Sequence, residues 1–148
     1  MDVTQALLGE HGVVHLLVEQ LEEVLERYHT ATELRAAAEP LAITLLGHAR
    51  IEDEALFQPY EKQTGSLGPL KCLRHEHELM DRQIRVLFRL QDPQALRAQI
   101  RALLDVIRRH LAREEEVMFK AARDAIDKGE LEHLGHHWAE FRGVKLGD

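Results

Sequence analysis

Apolar residues recur along most of the chain at steps of three and four, the spacing that places them on one face of an α-helix. Four such segments are separated by turn-forming residues, and no segment alternates apolar and polar residues as a β-strand would. The first predicted helix covers about residues 4–28, and the third covers about residues 68–90. Glycine, serine and proline in the sequence KQTGSLGP predict a turn between the second and third helices.

The second and fourth helices carry start signals. Thr30 and Glu33 are spaced as a capping box for the second helix. Pro40 either begins or kinks this helix, which we expect to end near Lys62. Asp92 suits the N-cap of the fourth helix, which has a proline at its first position and continues to about residue 127. A further short helix is expected from about residue 130.

The lengths of these segments indicate the fold class. Helices of roughly 23 to 35 residues joined by short links favour antiparallel neighbours. The sequence therefore predicts an all-α protein, an up-down-up-down antiparallel four-helix bundle over about residues 4–127, with a short C-terminal helical tail over residues 128–148. We expect residues 1–148 to form a single domain, because the chain is long enough to bury one hydrophobic core and shows no internal linker.

Each predicted inward stripe contains a histidine, and two of the stripes also contain a glutamate. These candidate metal ligands are His11, His48, Glu52, His77, His110 and Glu114. The i,i+4 spacing places each glutamate one turn from a histidine on the same helix face. His15 lies about 90° from the first stripe and is a second-choice ligand, whereas His75 points about 160° away from the third stripe and should face water. The acidic residues that follow each glutamate are expected to turn outward, namely Asp53, Glu54, Glu115 and Glu116.

The segments HARIEDEALF (residues 48–57) and HLAREEEVMF (residues 110–119) share one outline. Each has a histidine, a glutamate four residues later and two apolar residues eight and nine residues later. We interpret them as two halves of one site. Burying ionised carboxylates costs several kcal/mol unless a partner compensates, and a cation compensates directly. Imidazole and carboxylate without thiolate favour iron, manganese or zinc, and two glutamates facing each other across a bundle can bridge two metal ions.

Composition and charge narrow the range of partners. The formal charge of -7, with 26 acidic against 19 basic residues, disfavours nucleic-acid binding. The single cysteine, Cys72, fits a reducing compartment, and we expect a cytoplasmic protein. No apolar run approaches the roughly 18 residues of a membrane span, so no membrane partner is expected. Self-association is possible but is not predicted by any feature of the sequence.

Several simpler interpretations compete with a metal site. A single His-x-x-x-Glu pair on a helix is usually a surface pair, and four buried histidines can also form a polar network without metal. Catalysis by a cysteine or serine nucleophile has no support, because Cys72 lacks a defined base nearby in the helical pattern. In the sequence EHLGHHWAEF, His133 and His137 are spaced as a surface metal pair, although an exposed tail helix is the preferred interpretation.

Four stretches together resemble the motif helices of hemerythrin-like HHE cation-binding domains. These are GEHGVVHLLVEQLE, HARIEDEALFQP, RHEHELM and HLAREEEVMF, which span the chain to about residue 123. The resemblance implies a four-helix bundle with a non-haem di-iron centre. In this chain it implies bridging by Glu52 and Glu114 and terminal ligation by the four histidines His11, His48, His77 and His110. Zinc or manganese are the possible substitutes for iron.

The chain departs from the oxygen-carrying hemerythrins that it resembles. Those proteins have two histidines four residues apart on the third helix, and here the earlier position is Leu73. They place the helix-4 carboxylate five residues after the histidine, and here Glu114 follows His110 by four. A fifth histidine ligand is therefore missing unless His15 supplies it, which implies an open coordination position.

The leading functional hypothesis is a di-iron protein that binds or senses dioxygen, nitric oxide or peroxide at the metal centre. One alternative is a module for metal storage, delivery or iron-centre repair without small-ligand chemistry. A second alternative is a metal-free structural helical bundle. No residue of the sequence can be assigned as catalytic, so a peroxidase-like or repair activity neither follows from the pattern nor conflicts with it.

Overall fold

The computed structural model describes residues 1–147, and Asp148, the last residue of the predicted tail, lies outside the described residues. The helices are α1 (Val3–Val24), α2 (Ala31–Glu52), α3 (Gln58–Thr64), α4 (Leu70–Leu87), α5 (Pro93–Arg113), α6 (Phe119–Ala125) and α7 (Lys128–Arg142). Two five-residue π-helical turns, π1 (Asp53–Phe57) and π2 (Glu114–Met118), join α2 to α3 and α5 to α6. Residues 1–147 contain no strand, which confirms the predicted all-α class.

Side-chain caps fix where the long helices begin. The Asp2 carboxylate accepts a hydrogen bond from the backbone N–H of Gln5, whose side chain bonds the Asp2 N–H in return. Thr30 caps α2 as predicted. Because α2 begins at Ala31, Pro40 lies inside the helix and does not begin it. Asp92 caps α5 by accepting a hydrogen bond from the N–H of Ala95, again as predicted.

Helix α7 corrects the predicted division into four helices and a tail. It is 15 residues long and packs against α1 and π1, so the described chain has five packed helical rods. Leu131, Leu134 and Ala139 are buried along its inner face. At Gly135 a Cβ atom would overlap the backbone of residues 1–3, and this close approach requires glycine. The tail predicted as an exposed helix is thus part of the packed structure.

The six candidate metal ligands lie between two apolar clusters. One cluster includes Val14 of α1, Leu45 of α2 and Met80 of α4, and the other includes Leu7, Ile51 and Leu73 of the same helices. Each of the four rods that carry candidate ligands therefore passes from one apolar cluster through a polar layer into the other. None of the helices within residues 1–147 combines the length and the apolar character needed to cross a membrane.

Candidate metal centre

Four rods each contribute one histidine to the polar layer. His11 comes from α1, His48 from α2, and His110 from α5, and all three side chains are only 1% exposed. His77 of α4 is the least enclosed, with 13% of its side chain exposed. The ring centroids of His11 and His48 lie 4.9 Å apart, and those of His77 and His110 lie 4.6 Å apart. The histidines thus form two pairs.

Two fully buried glutamates lie between these pairs. Glu52 is the last residue of α2 and Glu114 is the first residue of π2. Oε2 of Glu114 lies 3.1 Å from Nε2 of His11, and its Oε1 lies 2.7 Å from Nε2 of His110. Oε2 of Glu52 lies 3.3 Å from Nε2 of His77 and 3.9 Å from Nε2 of His48. Each glutamate therefore faces both histidine pairs.

The ligand atoms form two groups that share the glutamates. One group is His11, His48, Glu52 and Glu114, and the other is Glu52, His77, His110 and Glu114. Within each group, one atom from every residue lies within 4.8 Å of the others. Two cations bound side by side, bridged by two carboxylates, would match this arrangement. The structure thus brings together all six residues that the stripes predicted.

The buried polar atoms of this layer test whether a cation fits. Eight of them have no hydrogen-bond partner among residues 1–147: Nε2 of His11, His48, His77 and His110, and both carboxylate oxygens of Glu52 and Glu114. Several lie within 4 Å of one another, but without hydrogen-bond geometry. Buried polar groups are nearly always paired in folded proteins, and leaving one unpaired costs about 1–3 kcal/mol. Two divalent cations, one in each ligand group, would give all eight atoms a partner, so the residues present fit a metal centre.

An outer set of carboxylates orients three of the histidines. Nδ1 of His48 lies 2.6 Å from Glu10, Nδ1 of His110 lies 2.8 Å from Glu76, and Nδ1 of His11 lies 2.9 Å from Glu115. An ionised carboxylate only accepts hydrogen bonds, so each Nδ1 donates. In the neutral ring Nε2 then carries the lone pair that a metal requires.

The comparison with known proteins agrees with this donor set. The sequence model of the Hemerythrin HHE cation binding domain matches residues 2–122. The chain belongs to that family. No curated protein sequence matches the chain. The chain is similar to a hemerythrin HHE cation binding domain-containing protein from Mycobacterium kansasii, whose crystal structure is known. The two chains share 25% sequence identity with a TM-score of 0.76, and the match covers 97% of this chain and 86% of that one.

The two π-turns explain how the repeated segments, residues 48–57 and 110–119, each place both a glutamate and a phenylalanine inside the protein. In a regular α-helix Phe57, nine residues after His48, would point about 180° away from it. Phe57 is nevertheless buried and stacks on the ring of His77 at 5.4 Å. The wider π-turn shifts the inward face of the helix between these residues. In the second repeated segment Phe119 is also buried, and the centroid of its ring lies 5.2 Å from that of His11.

The outer carboxylates are the functional residues that helical periodicity missed. Glu115 was expected to face water, but its carboxylate contacts His11 and is only 33% exposed. The π-turn beginning at Glu114 shifts the facing of its neighbours, which a uniform period cannot represent. The Glu-His dipeptides at residues 10–11 and 76–77 were the available signal for the other two carboxylates.

The remaining predicted positions lie outside both ligand groups. His15 is 44% exposed and its Nε2 lies 3.4 Å from Glu115, so the structure does not bring it to the centre. His75 is exposed, as predicted. His133 and His137 are exposed on α7 and belong to neither group. Cys72 is also exposed.

Asp53 breaks the symmetry between the two halves of the HHE site. It occupies the repeat position of Glu115, 62 residues earlier, but its partners among the described residues are Arg74 and Gln58 and not a histidine. Arg74 donates to it at 3.1 Å and Gln58 donates to it at 2.7 Å. Among the described residues no carboxylate contacts Nδ1 of His77. The His77 ring stacks on the ring of Phe57 instead. His77 is therefore the least firmly oriented of the four.

The charges of the layer shift the pKa values of its members. Burial raises the pKa of Glu52, and the nearby Glu114 carboxylate raises it further. Burial acts in the same direction on Glu114, yet the surrounding imidazoles hold its pKa well below the usual value. Burial lowers the pKa of His77, but Glu114 and Glu52 raise it to about 9. The layer thus retains protons at neutral pH, and a cation that binds there displaces them.

Proposed function

We propose that this HHE domain binds two metal ions, iron under cytoplasmic conditions, and uses an open coordination position for a small ligand such as dioxygen, nitric oxide or peroxide. The observation that carries the proposal is the set of eight buried, unpaired ligand atoms that divides into two groups sharing Glu52 and Glu114. A structural polar network would pair these atoms with one another.

Each residue of the layer has a role in this proposal. His11 and His48 hold one metal ion, and His77 and His110 hold the other. The two glutamates bridge the ions and offset part of their charge. Bound iron supplies the redox chemistry and the affinity for the small ligand. The outer carboxylates fix the rings, and the buried apolar clusters on both sides keep bulk water away.

The number of donors supports an open position. Each group offers two imidazoles and two shared carboxylates, and neither includes a further histidine of the described part of the chain. His15 lies 3.4 Å from Glu115, outside both groups. Imidazole and carboxylate sets with unfilled positions are typical of iron sites that bind oxygen or related ligands. His77 is the one ligand with appreciable exposure, so we infer that the small ligand approaches from its side.

Storage or delivery of the metal is a second candidate. The lack of an orienting carboxylate at His77 favours it, because a loosely held ligand lets one metal ion leave more easily. Both candidates use the same six residues. They differ in whether the bound metal reacts with a small ligand or is released to another acceptor.

Metal analysis with absorption spectra separates the two candidates. We expect anaerobically purified protein to contain about two irons per chain, as two ligand groups imply. Its spectrum should change on adding azide, nitric oxide or peroxide. Iron content without any spectral response supports storage or delivery. Protein that folds and melts identically with and without iron would rule out both.

A further inference from the structure

Helix α7 lies beyond residues 2–122, the part of the chain that matches the family, yet two of its side chains contact the outer carboxylate Glu10. Nε1 of Trp138 donates a hydrogen bond to Oε1 of Glu10 at 2.7 Å. Nε of Arg142 donates to the same oxygen at 2.7 Å, and Nη2 donates to Oε2 at 3.0 Å. Three donors from α7 therefore converge on one carboxylate.

Glu10, which these donors hold in place, in turn contacts His48, a proposed ligand of the metal centre. Its Oε2 accepts a hydrogen bond from Nδ1 of His48 at 2.6 Å, and Nε2 of His48 faces the centre. Glu10 is thus fixed as an acceptor, which fixes the tautomer of His48. Arg142 also donates to the backbone oxygen of Gly47, at 3.3 Å.

The other half of the site shows why α7 is needed. There Glu76 orients His110, and the cation that holds Glu76 is Arg113, three residues after His110 on the same helix. The repeat position of Arg113 in the first half is Ile51, 62 residues earlier. Ile51 is fully buried in the cluster that includes Leu131 of α7. The half of the site that contains His48 therefore has an apolar residue where the other half has Arg113. Arg142 of α7 supplies the cation that contacts Glu10.

We propose that α7 is a positioning element of the metal centre, in which Trp138 and Arg142 hold Glu10 and thereby set the orientation and the metal affinity of His48. This role of α7 rests on the proposed metal centre. A purely structural α7 would act through Leu131 and Leu134 alone, and would stabilise the fold without changing how metal binds.

Titration of the full-length, metal-free protein with Co²⁺ tests this role. We expect Arg142→Gln and Trp138→Phe each to weaken cobalt binding about 10- to 100-fold, the usual effect of losing a group that orients a ligand. Glu140→Gln is the matched control, because Glu140 is exposed on the same helix. Arg142→Lys keeps a positive charge and should recover part of the affinity, which a loss of packing alone would not predict.

A double-mutant cycle identifies the route. If Arg142 acts through Glu10, then Arg142→Gln should have little further effect in a Glu10→Gln background. Additive effects, or cobalt binding unchanged in both α7 variants, would overturn the proposal. Trp138 is the only tryptophan, so its emission reports whether α7 stays docked in the Arg142 variants. Should Arg142→Gln fail to fold, the same cycle with Trp138→Phe decides the matter.

Failure of the underlying metal centre gives a different result. In that case the unaltered protein would not bind cobalt, and the variants would have no affinity to lose. Cobalt binding by the unaltered protein, equal to that of Arg142→Gln, rejects only the role of α7.

Discussion

Glu115 accepts a hydrogen bond from Nδ1 of His11 at 2.9 Å, although a regular helix would turn its carboxylate away from the polar layer. Its neighbour Glu114 points its oxygens into that layer, 3.1 Å from Nε2 of the same histidine. One imidazole is thus held between an inner and an outer carboxylate that are adjacent in the sequence. The arrangement separates the carboxylate that faces the candidate ligand atoms from the carboxylate that orients one of the histidines.

This relationship predicts a graded effect of three adjacent glutamates. Glu114→Gln should abolish binding of both metal ions, because both groups share this carboxylate. Glu115→Gln should weaken binding about 10- to 100-fold, since His11 exchanges its charged orienting acceptor for a neutral amide oxygen. Glu116→Gln should leave the affinity unchanged, because that side chain is exposed. Isothermal titration with a divalent metal measures all three, and equal effects at positions 115 and 116 would contradict the assignment.

The buried charge of Glu52 predicts that metal binding and stability oppose each other. Its pKa is raised by burial and by Glu114, so its ionised form destabilises the metal-free protein. We expect Glu52→Gln to increase the free energy of unfolding of the metal-free protein by about 1 kcal/mol while removing metal binding. Urea denaturation measures the first effect. Glu54→Gln, a substitution outside the buried layer, serves as the control. A less stable Glu52→Gln protein would contradict the prediction.

The titration of His77 predicts how the stability of the metal-free protein depends on pH. The folded-state pKa of about 9 exceeds the ordinary value of 6.5, so the folded protein binds more protons than the unfolded chain between these values. The stabilisation is fully present below pH 6.5 and is lost as the pH rises through about 9. At about 1.4 kcal/mol per pKa unit, the loss is at most about 3.5 kcal/mol. Glu52, with its raised pKa, acts in the same direction above its ordinary value of 4.5.

Denaturation of the metal-free protein at several pH values checks this slope, and His77→Asn should flatten it. The groups that face His77 are Glu52, Glu114, His110 and Phe57. Metal affinity should change in the opposite direction and rise with pH, because a bound cation displaces the same protons. A metal-free protein that gains stability from neutral to alkaline pH would show that His77 is not protonated in the folded state.

The asymmetry between His48 and His77 predicts two unequal metal subsites. His48 is oriented by Glu10, whereas no described carboxylate contacts Nδ1 of His77. We expect the metal ion bound by His77 and His110 to have the lower affinity and to dissociate first when a chelator is added. His77→Ala should therefore leave the first binding event intact, whereas His48→Ala should weaken it. Stepwise titration followed by spectroscopy distinguishes these events, and identical effects of the two substitutions would mean that the subsites are equivalent.

The sequence by itself determined the helical class and the residues of the buried polar layer. Apolar periodicity predicted four long helices, and the caps at Thr30 and Asp92 are local interactions that the structure confirms. The six inward histidines and glutamates could be predicted because each interrupts an apolar stripe, and a position on a helix face follows from residue spacing alone. The repeat at residues 48–57 and 110–119 linked the two halves of the layer.

Only the tertiary structure decided what surrounds this layer. The π-turns depend on packing around the centre, so a fixed helical period misplaced Glu115. Asp53 and Glu115 occupy equivalent repeat positions, but Arg74 engages one and His11 engages the other. Helix α7 was predicted as an exposed tail because nothing in its own sequence indicates Glu10 as a partner. Contacts between residues more than 100 positions apart depend on how the rods pack, which no local pattern records.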